Sequence, residues 1–179
     1  MRWLPCLLVG LLVLSSPAGA ASVDPSTLVL RPSDVPSGFR VDRSQTGVRT
    51  NEREARNDPR LPALFRRWGR VTGYEIEFDR AGALINSRAD VFRSDRGAAG
   101  LLAWFDREVR VQGQPPARRI RVEIGAGGWL YRGKQPEPFA LVVFREGRVF
   151  GGVAGIRDAR KLVVGLARKQ QRRIAAALR

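Results

Sequence analysis

The chain has 179 residues, with 32 Lys and Arg against 17 Asp and Glu, a formal net charge of +15, no His and a single Cys, Cys6. Without imidazole, and with its one thiol near the N-terminus, it cannot assemble Ser-His-Asp or Cys-His nucleophilic sites, His-based proton shuttles, or the usual zinc, copper and haem ligation. Carboxylate chemistry or a Ser-Lys pair remains, and the three lysines, Lys134, Lys161 and Lys169, fall in a turn or on exposed helical positions where nothing would depress a pKa.

Residues 1–20 have the parts of a secretory signal: Arg2 as a positive n-region, an apolar run over residues 3–14, and the small-x-small site Ala18-Gly19-Ala20 preceded by Pro17. The run is shorter than the roughly 20 apolar residues that cross a bilayer. Cleavage after Ala20 is expected, with retention as an uncleaved anchor as the alternative. Cys6 precedes most of the apolar run, unlike the lipid-modified Cys of bacterial lipoproteins, so it leaves with the signal. The mature chain, residues 21–179, then holds no Cys and cannot form disulfides. It is long enough to bury about two-thirds of its surface, and a single domain held by packing is expected.

Arg2 is the only charged residue of the first twenty, so the mature side chains sum to +14. The preference for Arg over Lys has two readings, GC-rich codon usage or a selected affinity for polyanions. Either way the chain is drawn to polyanions, and salt weakens that attraction.

After a lead-in with a turn at Asp24-Pro25-Ser26 come the apolar Leu28, Val29 and Leu30, then a short helical turn and loop punctuated by Pro32, Pro36 and Gly38. Residues 40–58 are polar and charged with few apolar side chains, which predicts a long mobile loop, and a short helix is expected over 60–68. Tyr74, Ile76 and Phe78 alternate with Glu75 and Glu77 in a half-buried strand. A turn over 79–82 leads to a second strand over 83–93, making an antiparallel hairpin.

Ser94-Asp95 starts a helix, with Ala98, Leu101, Leu102, Phe105 and Val109 on one face. Gly113, Pro115 and Pro116 end it. Strands follow over 119–124 and 129–131 around the turn Gly125-Ala126-Gly127-Gly128, then over 139–144 and 149–156 around Glu146-Gly147. A last helix opens at Asp158, with Val163, Leu166, Ala167, Gln170, Ile174, Ala177 and Leu178 on its apolar face. This order predicts an α+β fold, an antiparallel sheet with two main helices packed on one face.

Three features bear on chemistry. The last helix carries Arg160, Lys161, Arg168, Lys169, Arg172 and Arg173, which form a candidate polyanion-binding face or complement the dipole at the helix C-terminus. Glu75 and Glu77 point to the same side of their strand at a separation that would suit a carboxylate-dependent hydrolase. Partner-strand arginines such as Arg88 would instead neutralise them on a solvated sheet face. The glycines at 125–128 lack the Lys-Ser/Thr of a phosphate-binding loop and no helical pattern follows, so they read as a tight strand connection.

The segments Asp34-Val35-Pro36-Ser37-Gly38-Phe39, Trp68-Gly69-Arg70-Val71-Thr72-Gly73-Tyr74, Arg93-Ser94-Asp95 and Phe144-Arg145-Glu146-Gly147 together resemble bacterial extracytoplasmic domains, broadly the PsbP/Mog1-like lipoproteins and the sensor-type extracellular domains of actinobacteria. The sequence departs from the lipoproteins in lacking a lipobox Cys and from the disulfide-bonded sensor domains in lacking cysteines. The resemblance implies a small α+β domain in an extracytoplasmic binding role, with no enzyme activity to carry over.

Taken with the composition, the expectation is a secreted, non-enzymatic binding or accessory module of the cell envelope that uses no cofactor or metal. Anionic envelope components or another secreted protein are its expected partners, nucleic acid is not, and peripheral membrane contact is compatible with the charge. A carboxylate hydrolase using Glu75 and Glu77 is the alternative, and a purely structural envelope protein is the third.

Overall fold

The computed structural model describes residues 23–112, 117–134 and 137–179. The signal-peptide reading of residues 1–20 therefore lies outside the described residues.

Seven strands form one antiparallel sheet: β1 (Arg40–Arg49), β2 (Arg70–Arg80), β3 (Ala83–Phe92), β4 (Arg118–Val122), β5 (Gly128–Gly133), β6 (Phe139–Glu146) and β7 (Val149–Ile156). Their order is β1-β2-β3-β7-β6-β5-β4, so the last strand returns to the centre and joins two meanders. The helices are α1 (Asn51–Asn57), α2 (Leu61–Trp68), α3 (Asp95–Gln112) and α4 (Val163–Ala177), with 3-10 turns at Pro25–Thr27, Pro32–Asp34 and Arg157–Lys161.

The hairpins close as their turn residues dictate. Ala81 and Gly82, with φ of 49° and 79°, join β2 to β3 in a two-residue loop, shorter than the four residues expected. Gly147, with φ of 50°, turns β6 into β7. The helix predicted from Ser94 is α3, and the Ser94 hydroxyl oxygen accepts from the Gly97 N–H at 3.2 Å. Gly69 ends α2 in the left-handed region, φ 66°, and its N–H reaches the Arg66 carbonyl at 3.2 Å.

The fold is α+β with an antiparallel sheet, but the two main helices do not share one face. Ala140, Val142 and Phe144 of β6 belong to the core under α4, together with Ile76, Phe78, Ile85, Val153, Val163, Leu166 and Ile174. Val143, between them, belongs to a second core with Leu61, Phe65, Phe92, Leu101 and Phe150 under α2 and α3. Since alternate residues of a strand point to opposite faces, α3 and α4 cover opposite sides and the central strands are buried on both. The unbroken apolar run of β6 is what double coverage requires.

Residues 40–58 are likewise not a loop. They form β1 and α1, and β1 pairs with β2 from Arg40 opposite Asp79 to Arg49 opposite Gly73, with a register shift between Asp42 and Gly47. An edge strand with largely solvated side chains needs little apolar sequence, because its order comes from backbone pairing. The Thr50 hydroxyl then caps α1 by accepting from the Arg53 N–H at 3.2 Å.

The last helix is interrupted where one continuous helix was expected. Arg157–Lys161 is a 3-10 turn, and α4 starts only at Val163. The described residues contain no helix long and apolar enough to cross a membrane.

Candidate functional site

Two charged regions divide the sequence's candidates. The first is an interior ion network on the α3 side of β1, β2 and β3. Asp90 and the Arg70 side chain are fully buried. Arg70 donates from Nε to Asp90 Oδ1 at 2.9 Å and from Nη1 to Asn51 Oδ1 at 2.6 Å, while its Nη2 reaches the Arg49 carbonyl at 2.7 Å. Its guanidinium lies 4.5 Å from the centre of the Phe65 ring. Arg88 donates to Asp90 Oδ2 and to Glu54 Oε2, both at 2.8 Å. Burial alone would raise the Asp90 pKa, but Arg88 and Arg70 outweigh it and hold the carboxyl below its usual range. Gly73 faces Asp90 across β2 and β3, and a Cβ there would meet the Asp90 carboxylate and the Arg70 Nη2.

This network absorbs Glu75. Its Oε2 lies 2.9 Å from Arg49 Nε and 3.9 Å from Arg88 Nη1, and its Oε1 accepts from Asn86 at 2.6 Å. Neither Glu75 nor Glu77 lines any of the four described cavities. Glu75 is thus neutralised, chiefly by Arg49 with Arg88 farther off, whereas the sequence reading expected partner-strand arginines to neutralise both glutamates. Glu77 is different. Burial first, then the neighbouring Asp42, Glu75 and Asp79, raise its pKa against the lowering hydrogen bond from Asn86.

A raised carboxyl pKa means that the native state binds the proton more tightly than the unfolded chain. The ionised group therefore works against folding once the pH passes the folded pKa, and costs nothing at pH values below the unfolded one. Glu77→Gln is expected to leave stability unchanged at acid pH and to raise it at pH 7, by no more than about 0.5 kcal/mol. Urea midpoints at the two pH values measure this, and a loss at pH 7 would contradict it.

The six basic residues assigned to the last helix separate into three groups. Lys169 and Arg173 hold the N-terminal segment: Lys169 donates to the Asp34 carbonyl at 2.8 Å, and Arg173 donates to the Val29 carbonyl at 2.7 Å and Asp34 Oδ2 at 2.8 Å. Arg168 and Arg172 are exposed on α4. Arg160 and Lys161 sit on the 3-10 turn before the helix and turn toward the sheet.

There they meet three cations that were not among the candidate polyanion-binding residues. Arg118 at the start of β4, Arg132 near the end of β5 and Lys134 just after it line, with Arg160 and Lys161, a cavity of about 620 Å³. Gly133, Pro138, Phe139 and Ala140 also line it, and among the described residues no carboxylate does. Arg118 and Arg132 are directly opposed in the β4–β5 register, and Ala140 stands across from Arg132 on β6. The neighbouring Arg119 points the other way and is engaged, 2.6 Å from Asp106 and over the Trp129 ring.

The 3-10 turn is fastened to the other wall. The Arg157 N–H donates to the Pro138 carbonyl at 2.8 Å, its guanidinium pairs with Glu137 at 2.7 Å, and Arg160 Nη1 donates to the Arg157 carbonyl at 2.7 Å. The arginines of β4 and β5 were legible only through strand register. Counting outward from the glycine turn, Val122 faces Gly128 and Arg118 faces Arg132.

The architecture defined by these elements is a seven-stranded antiparallel sheet with helices on both faces and a basic cavity at one end. A solved structure with a similar fold is the extracellular domain of PknH from Mycobacterium tuberculosis, which superposes with a TM-score of 0.50 at 11% sequence identity, covering 86% of this chain and 93% of that one. No family model matches the sequence, and no curated protein matches it significantly.

Proposed function

We propose that the protein is an exported, non-enzymatic binding or accessory module of the bacterial cell envelope that docks on anionic polymers or lipids through its arginine-rich surface. The observation that supports this most directly is the convergence of five cations from separate parts of the fold around one cavity, with no carboxylate among its described lining residues. Glu54, Glu75, Asp90 and Asp106 are engaged by Arg88, Arg49, Arg70 and Arg119, four charges of each sign, so this pairing leaves the net positive charge of the rest of the chain unchanged. The likeness in fold to an extracellular domain fits export, and the ion-paired Glu75 offers no support to a hydrolase.

Cosedimentation with vesicles tests the reading. The purified exported chain should bind phosphatidylglycerol vesicles and not phosphatidylcholine vesicles, with binding falling steeply as salt rises from about 20 mM to about 500 mM and the Debye length shrinks. Absence of binding to anionic vesicles and to phosphate-bearing wall polymer at low salt would overturn it.

A further inference from the structure

A generally basic surface does not require a cavity, and the geometry points to the five-cation cavity as a site for a phosphate monoester carrying a compact apolar substituent. This rests on the polyanion reading and narrows it to one place and one chemistry.

The first reason is a repulsion built into the sheet. Arg118 and Arg132 are directly opposed on β4 and β5. Opposed side chains on antiparallel strands have Cβ atoms about 4.5–5.5 Å apart, and like charges there are destabilising. The next residue across the sheet is Ala140, so nothing on that row offsets them. Both side chains are exposed, so water screens part of this repulsion, and an anionic ligand between them would relieve the rest.

The second reason is the amount of charge. Five formal positive charges surround the cavity. A carboxylate or phosphodiester answers one of them, whereas a phosphate monoester carries about −1.5 to −2 at neutral pH and offers three acceptor oxygens. Two guanidinium forks from opposed strands suit such a tetrahedral group, because each can donate two parallel hydrogen bonds to a pair of its oxygens.

The third reason is the rest of the wall. The volume of about 620 Å³ falls within the roughly 300–1,000 Å³ of small-ligand sites and leaves room beyond a phosphate. Pro138, Phe139 and Ala140 give that room an apolar side. The ties from Arg157 to Glu137 and Pro138 hold the two walls in place before any ligand arrives, which lowers the ordering cost of binding.

The test combines thermal unfolding and calorimetry of the purified exported chain with phenyl phosphate as the soluble probe, and sedimentation with phosphatidate vesicles as the lipid probe. Binding in either arm is expected to weaken roughly tenfold to a hundredfold in Arg118→Gln and in Arg132→Gln. The same variants should keep or raise the unliganded Tm, since each removes the cross-strand repulsion, so lost binding is not lost folding. Arg43→Gln, exposed on β1 at the opposite edge of the sheet, should bind the soluble probe like the parent.

A response to phenyl phosphate identifies a soluble or polymer-borne phosphate as the natural source, and a response to phosphatidate alone identifies a lipid head group. Monoester binding that ignores both substitutions, or no monoester binding in either arm, would overturn the assignment. Retention on phosphatidylglycerol vesicles would then still decide separately whether the broader reading survives.

Discussion

Asp90→Ala is expected to destabilise the protein by about 3–5 kcal/mol, because it leaves the buried Arg70 without its counter-charge. Arg70 has a fully buried side chain, and both it and Arg88 donate to the Asp90 carboxylate. For a domain of this size each kcal/mol lowers Tm by roughly 2–4 °C, so the expected fall in thermal unfolding is on the order of 6–20 °C. Replacing Asp90 and Arg70 together with apolar residues of similar volume should recover much of the loss, since the penalty comes from the unpaired charge.

The pH dependence has a definite sign. The folded pKa of Asp90 is depressed, so its contribution is complete above the unfolded carboxylate value of about 3.9 and is lost as pH falls through the folded value. Asp90→Ala should therefore flatten part of the acid limb of the stability curve while lowering the neutral plateau. Urea unfolding at pH 7 and at successively lower pH measures both, and a change under about 1 kcal/mol at pH 7 would show that the network contributes little.

The second large effect concerns two glycines of the same central strand, Gly152 and Gly155 on β7. Ordinary strand propensity disfavours glycine, so alanine at either place would be expected to help. At Gly155 the space forbids it. A Cβ there would lie 2.7 Å from Val163 Cγ2 and 2.8 Å from the backbone C and O of Ala159, and moving them means displacing the 3-10 turn and the start of α4. Gly155→Ala should cost about 1–3 kcal/mol.

At Gly152 the nearest atoms to a Cβ are 3.9 Å away, which is ordinary van der Waals contact. Gly152→Ala should be neutral or stabilise by about 0.4–1 kcal/mol through the unfolded chain. The denaturant midpoint of Gly155→Ala should fall, and that of Gly152→Ala should stay or rise. Equal shifts would mean that the close approach of the 3-10 turn is not what requires glycine at 155. The same displacement would move Arg160 and Lys161 away from Arg118 and Arg132, so weakened monoester binding should accompany the loss at 155 and not the change at 152.

Particular residues show where sequence reasoning reached and where it stopped. The α3 helix was legible because Ser94-Asp95 caps it and Ala98 and Leu101 recur at helical spacing, and both residues are buried. The hairpin of β2 and β3 was legible from alternation, although β2 starts at Arg70 and not at Tyr74. Gly73, just before the expected strand, is an interior strand residue that makes room for Asp90. β1 was missed because an edge strand carries no apolar signature of its own, and its partner strand lies 21 residues beyond its last residue, Arg49.

The candidate site was half legible. Arg160 and Lys161 stood out as charges, but they were grouped with Lys169 and Arg173, which hold Val29 and Asp34. Their actual neighbours, Arg118 and Arg132, come from another hairpin. Glu75 and Glu77 were correctly placed on one side of a strand, and only the fold shows Arg49 closing on Glu75.

The residue types alone determined the available chemistry, since a chain with no His and a single Cys near its start has no imidazole or paired thiols wherever its elements go. Local periodicity and capping determined most of the strands, the two long helices and the α+β class, because those depend on residues within one or two turns of each other. The tertiary structure decided the face each helix covers, the burial of Asp90 between two arginines, and the gathering of five cations around one cavity. These are long-range pairings, set by which strands become neighbours and in what register, and no window along the chain contains both partners.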